Sequence, residues 1–422
     1  MIKLRPQPIG IFPFPAANLL LPDVNAPCEV ALESLLKGDC SVELPPAWEF
    51  FGLAAKGDSA AAEALLRTGD CSSPISVYNL FVLTPTPESY QEASAALEGD
   101  LRELLDVAAY TAGVIDTLEE EFSLNNELVA LALATSAATD IEKEEFKSAQ
   151  TKLKSAISEA KNESPILAAL LLSQSADLAA SLPNVSPALV MQDYKGAIDM
   201  AEDCKLPMLI PELHTKMGMM LQNASNGQRG ALLQAVNSYQ AALQNGVTEE
   251  DHPQLFAQLQ NNLGLAYLSM PAMGASHQLR SGIAVQSFRH ALKVYTIEEF
   301  PDMWASVSMN LANALVYAPS SHPEENLIQA VEIYEEVLQV RSRAKDPVAY
   351  ALVLLNQGNA LAHLGMFKPA LGKLAEAYKL FHWYDQIEQA NAAQELVEQI
   401  NQKLGDRGEQ LELTRRASEG LA

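Results

Sequence analysis

The sequence is poor in cysteine and in positive charge. Its four cysteines, at 28, 40, 71 and 204 of 422 residues, form no CxxC pair, which is typical of a reducing compartment rather than of a disulfide-rich secreted domain. Lysine and arginine number 28 against 53 aspartates and glutamates, so the net charge is −25. A nucleic-acid partner needs clustered cations, and this balance argues against one. The acidity is either a solubilising surface field or a docking face for a basic partner.

Catalytic, metal-binding and membrane-spanning signatures are also missing from the sequence. It contains no GxSxG, GxGxxG or P-loop motif, and its seven histidines show no HExxH or other ligand spacing. No apolar run reaches the roughly 18 residues of a membrane span. Pro6, Pro8, Pro13 and Pro15 interrupt the apolar N-terminus, so a signal-peptide helix is not predicted there. We therefore predict a cytoplasmic protein without metal, cofactor or catalytic site.

What the sequence does contain is a two-part phrase in its C-terminal half, whose first part recurs every 46 to 48 residues and whose second part recurs every 40 to 49 residues. Its first part centres on a small residue, found as Gly218, Gly264, Ala312 and Gly358. Its second part sets a large residue between two smaller ones, as in Ala235-Tyr239-Ala242, Ala284-Phe288-Ala291, Ala330-Tyr334-Val337 and Ala370-Leu374-Ala377. In a helix this spacing places all three side chains on one face, where alanine permits close approach and the large residue fills the gap. Self-similarity at a fixed period predicts stacked supersecondary units.

The unit at 351–383 resembles the tetratricopeptide repeat family, because Gly358 lies 12 residues before Ala370 and the register needs no insertion. In the three earlier units the same interval is 17, 20 and 18 residues, which lengthens the connection between the two helices. The similarity is to long bacterial tetratricopeptide arrays, and it covers about residues 164–403. It implies an all-α fold, an α-solenoid or superhelix of stacked antiparallel helix pairs.

Composition and the spacing of the predicted helices and repeats divide the chain into four predicted segments. These are a Pro-rich extended arm (1–30), a helical-hairpin domain of divergent repeats (31–163), the tetratricopeptide-like array (164–403) with a capping helix at 386–403, and a flexible tail (404–422). The arm is expected to pack along the solenoid or to bind a partner. Within the second segment, Gly-Asp steps such as Gly38-Asp39 are predicted to end one helix and cap the next. The apolar stretch 75–83 is rich in strand-forming residues, but its helical setting favours a buried helix.

The family resemblance implies a groove lined by the first helix of each unit, in which the family holds peptides or helices. Asparagines recur on these predicted helices, two residues before or one residue after the small residue, at Asn262, Asn310, Asn313, Asn356 and Asn359. Asn310/Asn313 and Asn356/Asn359 are i, i+3 pairs, so each pair shares a helix face. Their amides either hydrogen-bond the backbone of an extended ligand or satisfy neighbouring backbone or loop carbonyls between repeats.

Some family members clamp a C-terminal carboxylate with Lys or Arg beside such asparagines. Here the position three before the small residue holds Thr215, Asn261, Met309 or Leu355, none of them basic. A carboxylate clamp is therefore not predicted.

The first functional hypothesis is a non-catalytic scaffold, adaptor or assembly factor that holds a partner peptide or helix in the groove. A structural subunit of a larger multiprotein complex is the alternative, and it would use the outer surface and the arm. An enzyme with an unrecognised helical site is less favoured, because the known catalytic motifs are missing.

Overall fold

The computed structural model describes residues 2–25, 27–119, 121–183, 185–271, 276–319 and 322–419. Within these ranges the chain forms nineteen α-helices and two short 3-10 helices, and no strand. This confirms the predicted all-α class and the α-solenoid of consecutive helix pairs. The chain divides into two compact units, Met1–Ala224 and Ser225–Ala422, called the first and second units. The four-segment division remains a prediction.

The helices of the first unit are short at its start and longer after residue 100. They are α1 (Glu29–Leu36), α2 (Glu49–Ala55), α3 (Ser59–Leu66), α4 (Pro74–Leu83), α5 (Pro87–Ala96), α6 (Asp100–Thr111), α7 (Asn126–Glu142), α8 (Phe146–Ala160), α9 (Pro165–Ser181), α10 (Pro187–Met200) and α11 (Leu209–Asn223). The second unit contains α12 (Arg229–Gln244), α13 (Pro253–Ser269), α14 (Ser276–Val294), α15 (Pro301–Tyr317), α16 (Pro323–Val340), α17 (Pro347–His363), α18 (Phe367–Trp383) and α19 (Ile387–Glu419).

Proline and short polar side chains mark where many of the helices begin. The Ser73 hydroxyl accepts a hydrogen bond from the Ser76 backbone N–H at 3.2 Å, and Pro74 takes the first helical position, where no N–H is needed. Asp346 caps α17 in the same way. The helix α4 confirms that the apolar stretch 75–83 is helical, with Tyr78 among its buried side chains.

The Gly-Asp steps act as helix stops at some positions and not at others. Gly38 follows α1 with φ +84°, and Gly57 follows α2 with φ +88°, a backbone region that glycine enters without steric cost. Asp58 then caps α3 by accepting a hydrogen bond from the Ala61 N–H at 3.0 Å. Gly69 belongs to the same sequence phrase but does not adopt a positive φ.

In the second unit consecutive helices pack as pairs, α13 with α14, α15 with α16 and α17 with α18. Successive first helices also touch, since α15 contacts both α13 and α17. The repeated packing face is buried, and Ala284, Phe288 and Ala291 are fully inaccessible. A Cβ added at Gly264 would lie 2.6 Å from ring carbons of Phe288. The small residue of the first helix therefore makes room for the large residue of the second.

The connections between paired helices differ in length as the sequence predicts. Three residues join α17 to α18, whereas α13 ends at Ser269 and α14 begins at Ser276, and α15 ends at Tyr317 and α16 begins at Pro323. Residues 272–275 and 320–321 of the two longer loops lie outside the described residues. At the end of the array, the predicted capping helix 386–403 forms the first half of α19, which packs on α18 and continues into the segment predicted as a tail.

The N-terminal arm is buried in the first unit along most of its length. Ile9, Leu19 and Leu20 are at most 1% exposed. The arm is largely non-helical, as its prolines predict, but it is not fully extended. A 3-10 turn forms at Ala16–Asn18, and the Gly10 N–H donates to the Ala17 carbonyl at 2.8 Å, which closes a loop.

Two fully buried amide side chains, Asn79 and Gln7, hydrogen-bond the arm's backbone. The Leu20 N–H donates to Asn79 Oδ1 at 2.9 Å, and Asn79 Nδ2 donates to the Leu20 carbonyl at 2.7 Å. The Leu21 N–H donates to Gln7 Oε1 at 2.8 Å, and Gln7 Nε2 donates to the Leu21 carbonyl at 3.2 Å. Each side chain thus supplies the donor and the acceptor that a neighbouring strand would otherwise provide.

A buried carboxylate fixes the start of the arm. Glu127 on α7 is fully inaccessible, and its Oε1 accepts a hydrogen bond from the Gln7 backbone N–H at 3.0 Å. Arg5 donates to both oxygens of Glu127, at 2.5 and 2.9 Å. A buried carboxylate needs such compensation, because leaving it unpaired would cost several kcal/mol. The arm is an internal part of the first unit.

Candidate functional site

The five predicted asparagines lie on α13, α15 and α17, the first helices of three successive pairs, and all are half-buried. Alanine and glycine neighbours keep these helices close to their second helices, so the asparagines sit between the buried packing face and the exposed surface. At this depth an amide is accessible to a partner but is still held by its neighbours. The structure divides the five residues by what their amides contact.

Asn310 links two first helices. Its Nδ2 donates to Asn261 Oδ1 on α13 at 3.0 Å, across 49 positions of sequence. One N–H of Asn310 and its Oδ1 carry no hydrogen bond within the described residues. The partner is a side chain of the preceding repeat, whereas the alternative that the sequence predicts is a backbone or loop carbonyl.

Asn313 faces its own second helix. The buried Tyr334 hydroxyl on α16 donates to Asn313 Oδ1 at 2.5 Å. Burial, and secondarily the nearby Tyr317, raises the pKa of the Tyr334 hydroxyl, so it stays protonated and remains a donor. Asn310 and Asn313 therefore share a helix face by spacing, yet their amides contact different helices.

Asn359 contacts the preceding first helix. Its Nδ2 donates to the Tyr317 hydroxyl on α15 at 2.7 Å. The Tyr317 ring is 62% exposed and meets the His363 ring edge-on, with centroids 6.0 Å apart. This exposed aromatic ring lies beside the amide on a surface shared by α15 and α17.

Asn262 and Asn356 differ from the other three, because neither side chain makes a hydrogen bond within the part of the chain that the structure describes. Together with Asn310 they occupy the position two residues before the small residue on α13, α15 and α17. We call Asn262, Asn310 and Asn356 the asparagine row. Each member retains amide donors and acceptors for a further partner.

Sequence reasoning missed several residues that shape this surface. Asn261 stands out in the sequence only as a position without positive charge, although its Oδ1 accepts the hydrogen bond from Asn310. Gln357 is buried and donates to Glu335 Oε2 at 2.7 Å, and this hydrogen bond, with a weaker effect of Lys373, lowers the pKa of Glu335. Gln357 lies in the run Asn356-Gln357-Gly358-Asn359, and this run of amide side chains is the sequence feature that marks it.

Arg341, at the end of α16, has a specific partner. Its guanidinium donates to Ser306 Oγ on α15 at 2.8 Å and lies 3.2 Å from Met309 Sδ. It therefore ties the end of a second helix to its own first helix, close to the asparagine row.

Two further observations concern the described residues as a whole. They contain no cluster of three or more His, Cys, Asp or Glu side chains that could hold a metal ion. None of their helices combines the length and the apolar character that crossing a bilayer requires.

Comparison with known proteins identifies the fold. No protein-family profile matches the chain, and no curated protein matches its sequence. The apo form of RapI is similar in structure, with a TM-score of 0.51 and 13% identity over 85% of this chain and 97% of RapI. Pseudomonas aeruginosa PilF (14% identity, 63% of this chain, 96% of PilF) and a Rap protein complexed with competence and sporulation factor (14%, 85% and 97%) give TM-scores of 0.38. The RapI match confirms the tetratricopeptide-like fold.

Proposed function

We propose that the chain is a non-catalytic protein-interaction scaffold that holds a peptide or helix of a partner protein along α13, α15 and α17. The asparagine row supplies the hydrogen bonds, while Asn313 and Asn359 are positioned by Tyr334 and Tyr317. The observation that carries the proposal is the open hydrogen-bonding capacity of Asn262 and Asn356 at half-buried positions. A partner backbone gains most from amides that are already ordered by packing, because little side-chain entropy is lost on binding.

The charge of the chain favours a basic partner. The net charge is −25, and the exposed residues of the adjoining α16 include Glu324, Glu325, Glu332 and Glu336. Such a field raises the association rate of a cationic partner and is weakened by salt. The proposal places the protein in the cytoplasm and requires no metal, cofactor or nucleic acid.

The alternative, a structural subunit that binds through the arm, has less free surface to use. The arm's backbone is hydrogen-bonded to Asn79, Gln7 and Glu127 of its own chain. Its exposed side chains between Gly10 and Ala17 are Pro13 and Phe14. The outer surface of the second helices remains open to this alternative.

Affinity purification of the tagged chain from its native cells tests the proposal. We expect a co-purifying protein whose recovery falls about tenfold or more in the Asn310→Ala plus Asn356→Ala variant, since two hydrogen bonds are lost. Gln329→Ala plus Gln339→Ala on the exposed face of α16 is the matched control and should retain the partner. Equal, stoichiometric recovery from all three proteins would contradict the proposal and support the structural subunit.

A further inference from the structure

A cavity of about 610 Å³ lies inside the first unit, apart from the asparagine row. The arm loop that carries Phe14 covers one side, the end of α6 another, and α7 and α9 form the remaining walls. This volume is in the range that holds small ligands or a few residues of a peptide.

The base of the cavity is apolar and is built around a glycine of the arm. Leu131, Leu167 and Leu171 line it and are buried. Gly10 also lines it, with φ +70°, and a Cβ at this position would lie 2.6 Å from Leu167 Cδ1. The arm therefore sits directly on α9 and forms a fixed wall, so the cavity is part of the folded unit.

A buried amide of the arm lies in the wall of this cavity. Asn18 lines the wall and is 3% exposed, and its Nδ2 makes no hydrogen bond within the described residues. Its backbone is satisfied, because the Asn18 carbonyl accepts a hydrogen bond from the Tyr78 hydroxyl at 2.8 Å. An unpaired buried donor costs about 1–3 kcal/mol, but Nδ2 has almost no accessible surface, so Asn18 closes the wall and does not offer this donor to an occupant.

The charges at the cavity are of one sign. Asp116, after α6, and Glu142, the last residue of α7, line it and are exposed, and neither forms an ion pair with another described residue. No lysine or arginine is among the described residues that line it. The remaining polar groups are neutral, including the Tyr110 hydroxyl, which accepts a hydrogen bond from Thr139 at 2.8 Å.

From these observations we infer that the cavity binds a cationic group on an apolar stem, of the arginine or lysine type. The alkyl stem contacts the leucines, and the charged head lies between Asp116 and Glu142. Two kinds of ligand carry such a group: a peptide with a basic side chain, and a free small amine. This site is independent of the asparagine row.

Calorimetric titration of the full chain tests the inference with three probes. They are arginine blocked at both ends by acetyl and methylamide groups, the equally blocked citrulline, and agmatine. Blocked arginine should bind about tenfold more tightly than blocked citrulline, because citrulline has the same shape without the charge. Tighter binding of blocked arginine than of agmatine would identify a peptide as the ligand. Tighter binding of agmatine would identify a free amine.

Three variants locate the binding. Asp116→Asn plus Glu142→Gln should remove the preference for arginine over citrulline, whereas Glu159→Gln plus Glu163→Gln, an equal charge change on exposed positions away from the cavity, should keep it. Asn310→Ala plus Asn356→Ala should change nothing here.

The inference is overturned if arginine and citrulline bind equally or not at all. It is equally overturned if the control variant loses the preference together with the cavity variant. The cavity variant changes exposed residues, and a thermal melt that matches the wild type would show that lost binding does not reflect unfolding.

Discussion

The two units use amide side chains in opposite ways. In the first unit Asn79 and Gln7 are fully buried, and each forms both a donor and an acceptor hydrogen bond with the backbone of the arm. In the second unit the five predicted asparagines are half-buried, and the asparagine row keeps part of its hydrogen-bonding capacity open.

Burial explains the difference. A fully buried amide that lacks a partner carries its whole desolvation cost, and Asn79 and Gln7 avoid that cost by pairing with the arm. A half-buried amide is solvated in the free protein, so it exchanges water for a partner at little cost. The first unit shows how this fold binds an extended backbone through amides, and the second unit presents similar groups with no such segment of the described residues on them.

The largest expected effect is that of Asn79→Ala. It removes two hydrogen bonds and leaves the Leu20 N–H and carbonyl buried and unpaired, so the free energy of unfolding should fall by about 3 kcal/mol or more. Asn356→Ala breaks no hydrogen bond seen among the described residues and should cost less than about 0.5 kcal/mol. Urea unfolding measures both. Equal losses of unfolding free energy in the two variants would contradict the difference described between the two units.

The fit of the arm is tested by Gly10→Ala, with Gly113→Ala as the matched control. Both glycines have φ +70°, but an added Cβ meets Leu167 at 2.6 Å at Gly10 and nothing within 4 Å at Gly113. The shared backbone strain costs about 1–2 kcal/mol, and Gly10→Ala should cost roughly 1–2 kcal/mol more because of the contact. Identical melting temperatures of the two variants would show that the arm does not press on α9.

In the second unit the close approach of paired helices is tested by Gly358→Ala. Its new Cβ would lie 2.8 Å from Leu374 Cγ, and the variant should lose about 1–3 kcal/mol of stability. Gly372→Ala is the control, because it lies exposed on α18 with nothing within 4 Å, and it should gain about 0.5–1 kcal/mol. Opposite signs in denaturant unfolding are expected. Two stabilising substitutions would contradict the packing described.

The smallest effect concerns His214 on α11, whose Nδ1 is buried and unpaired among the described residues. Burial lowers the pKa of His214 below its ordinary 6.5, so the unfolded chain takes up a proton first as the pH falls. The stability from neutral His214 is present above about pH 6.5 and declines below it. Between about pH 7.5 and 5.5, His214→Gln should lose less melting temperature than the wild type. A larger loss in the variant would contradict this sign.

The sequence predicts the fold well, because its main signals are local and repeated. The alanine and aromatic spacing of Ala284, Phe288 and Ala291 specifies a buried helix face, and Ser73-Pro74 specifies where α4 begins. Gly69 shows the limit of such patterns. It stands in the same phrase as Gly38, yet the two adopt different backbone conformations.

The contacts of the candidate site could be predicted only in part. Spacing places Asn310 and Asn313 on one helix face, but tertiary packing decides that one contacts α13 and the other α16. The contact between Asn79 and Leu20 joins residues 59 positions apart, and no sequence periodicity predicts it. Such pairs depend on how whole helices dock, which local propensity does not encode.

Side-chain amide hydrogen exchange, followed by NMR on ¹⁵N-asparagine-labelled protein, tests the central claim most directly. The claim is that the amides of Asn79 and Gln7 in the first unit are occupied by the backbone of the arm and that the asparagine row is open. The Nδ2 protons of Asn79 should exchange far more slowly than those of Asn262 and Asn356, which should approach the rate of free asparagine. Equal protection of all three amides would contradict the claim.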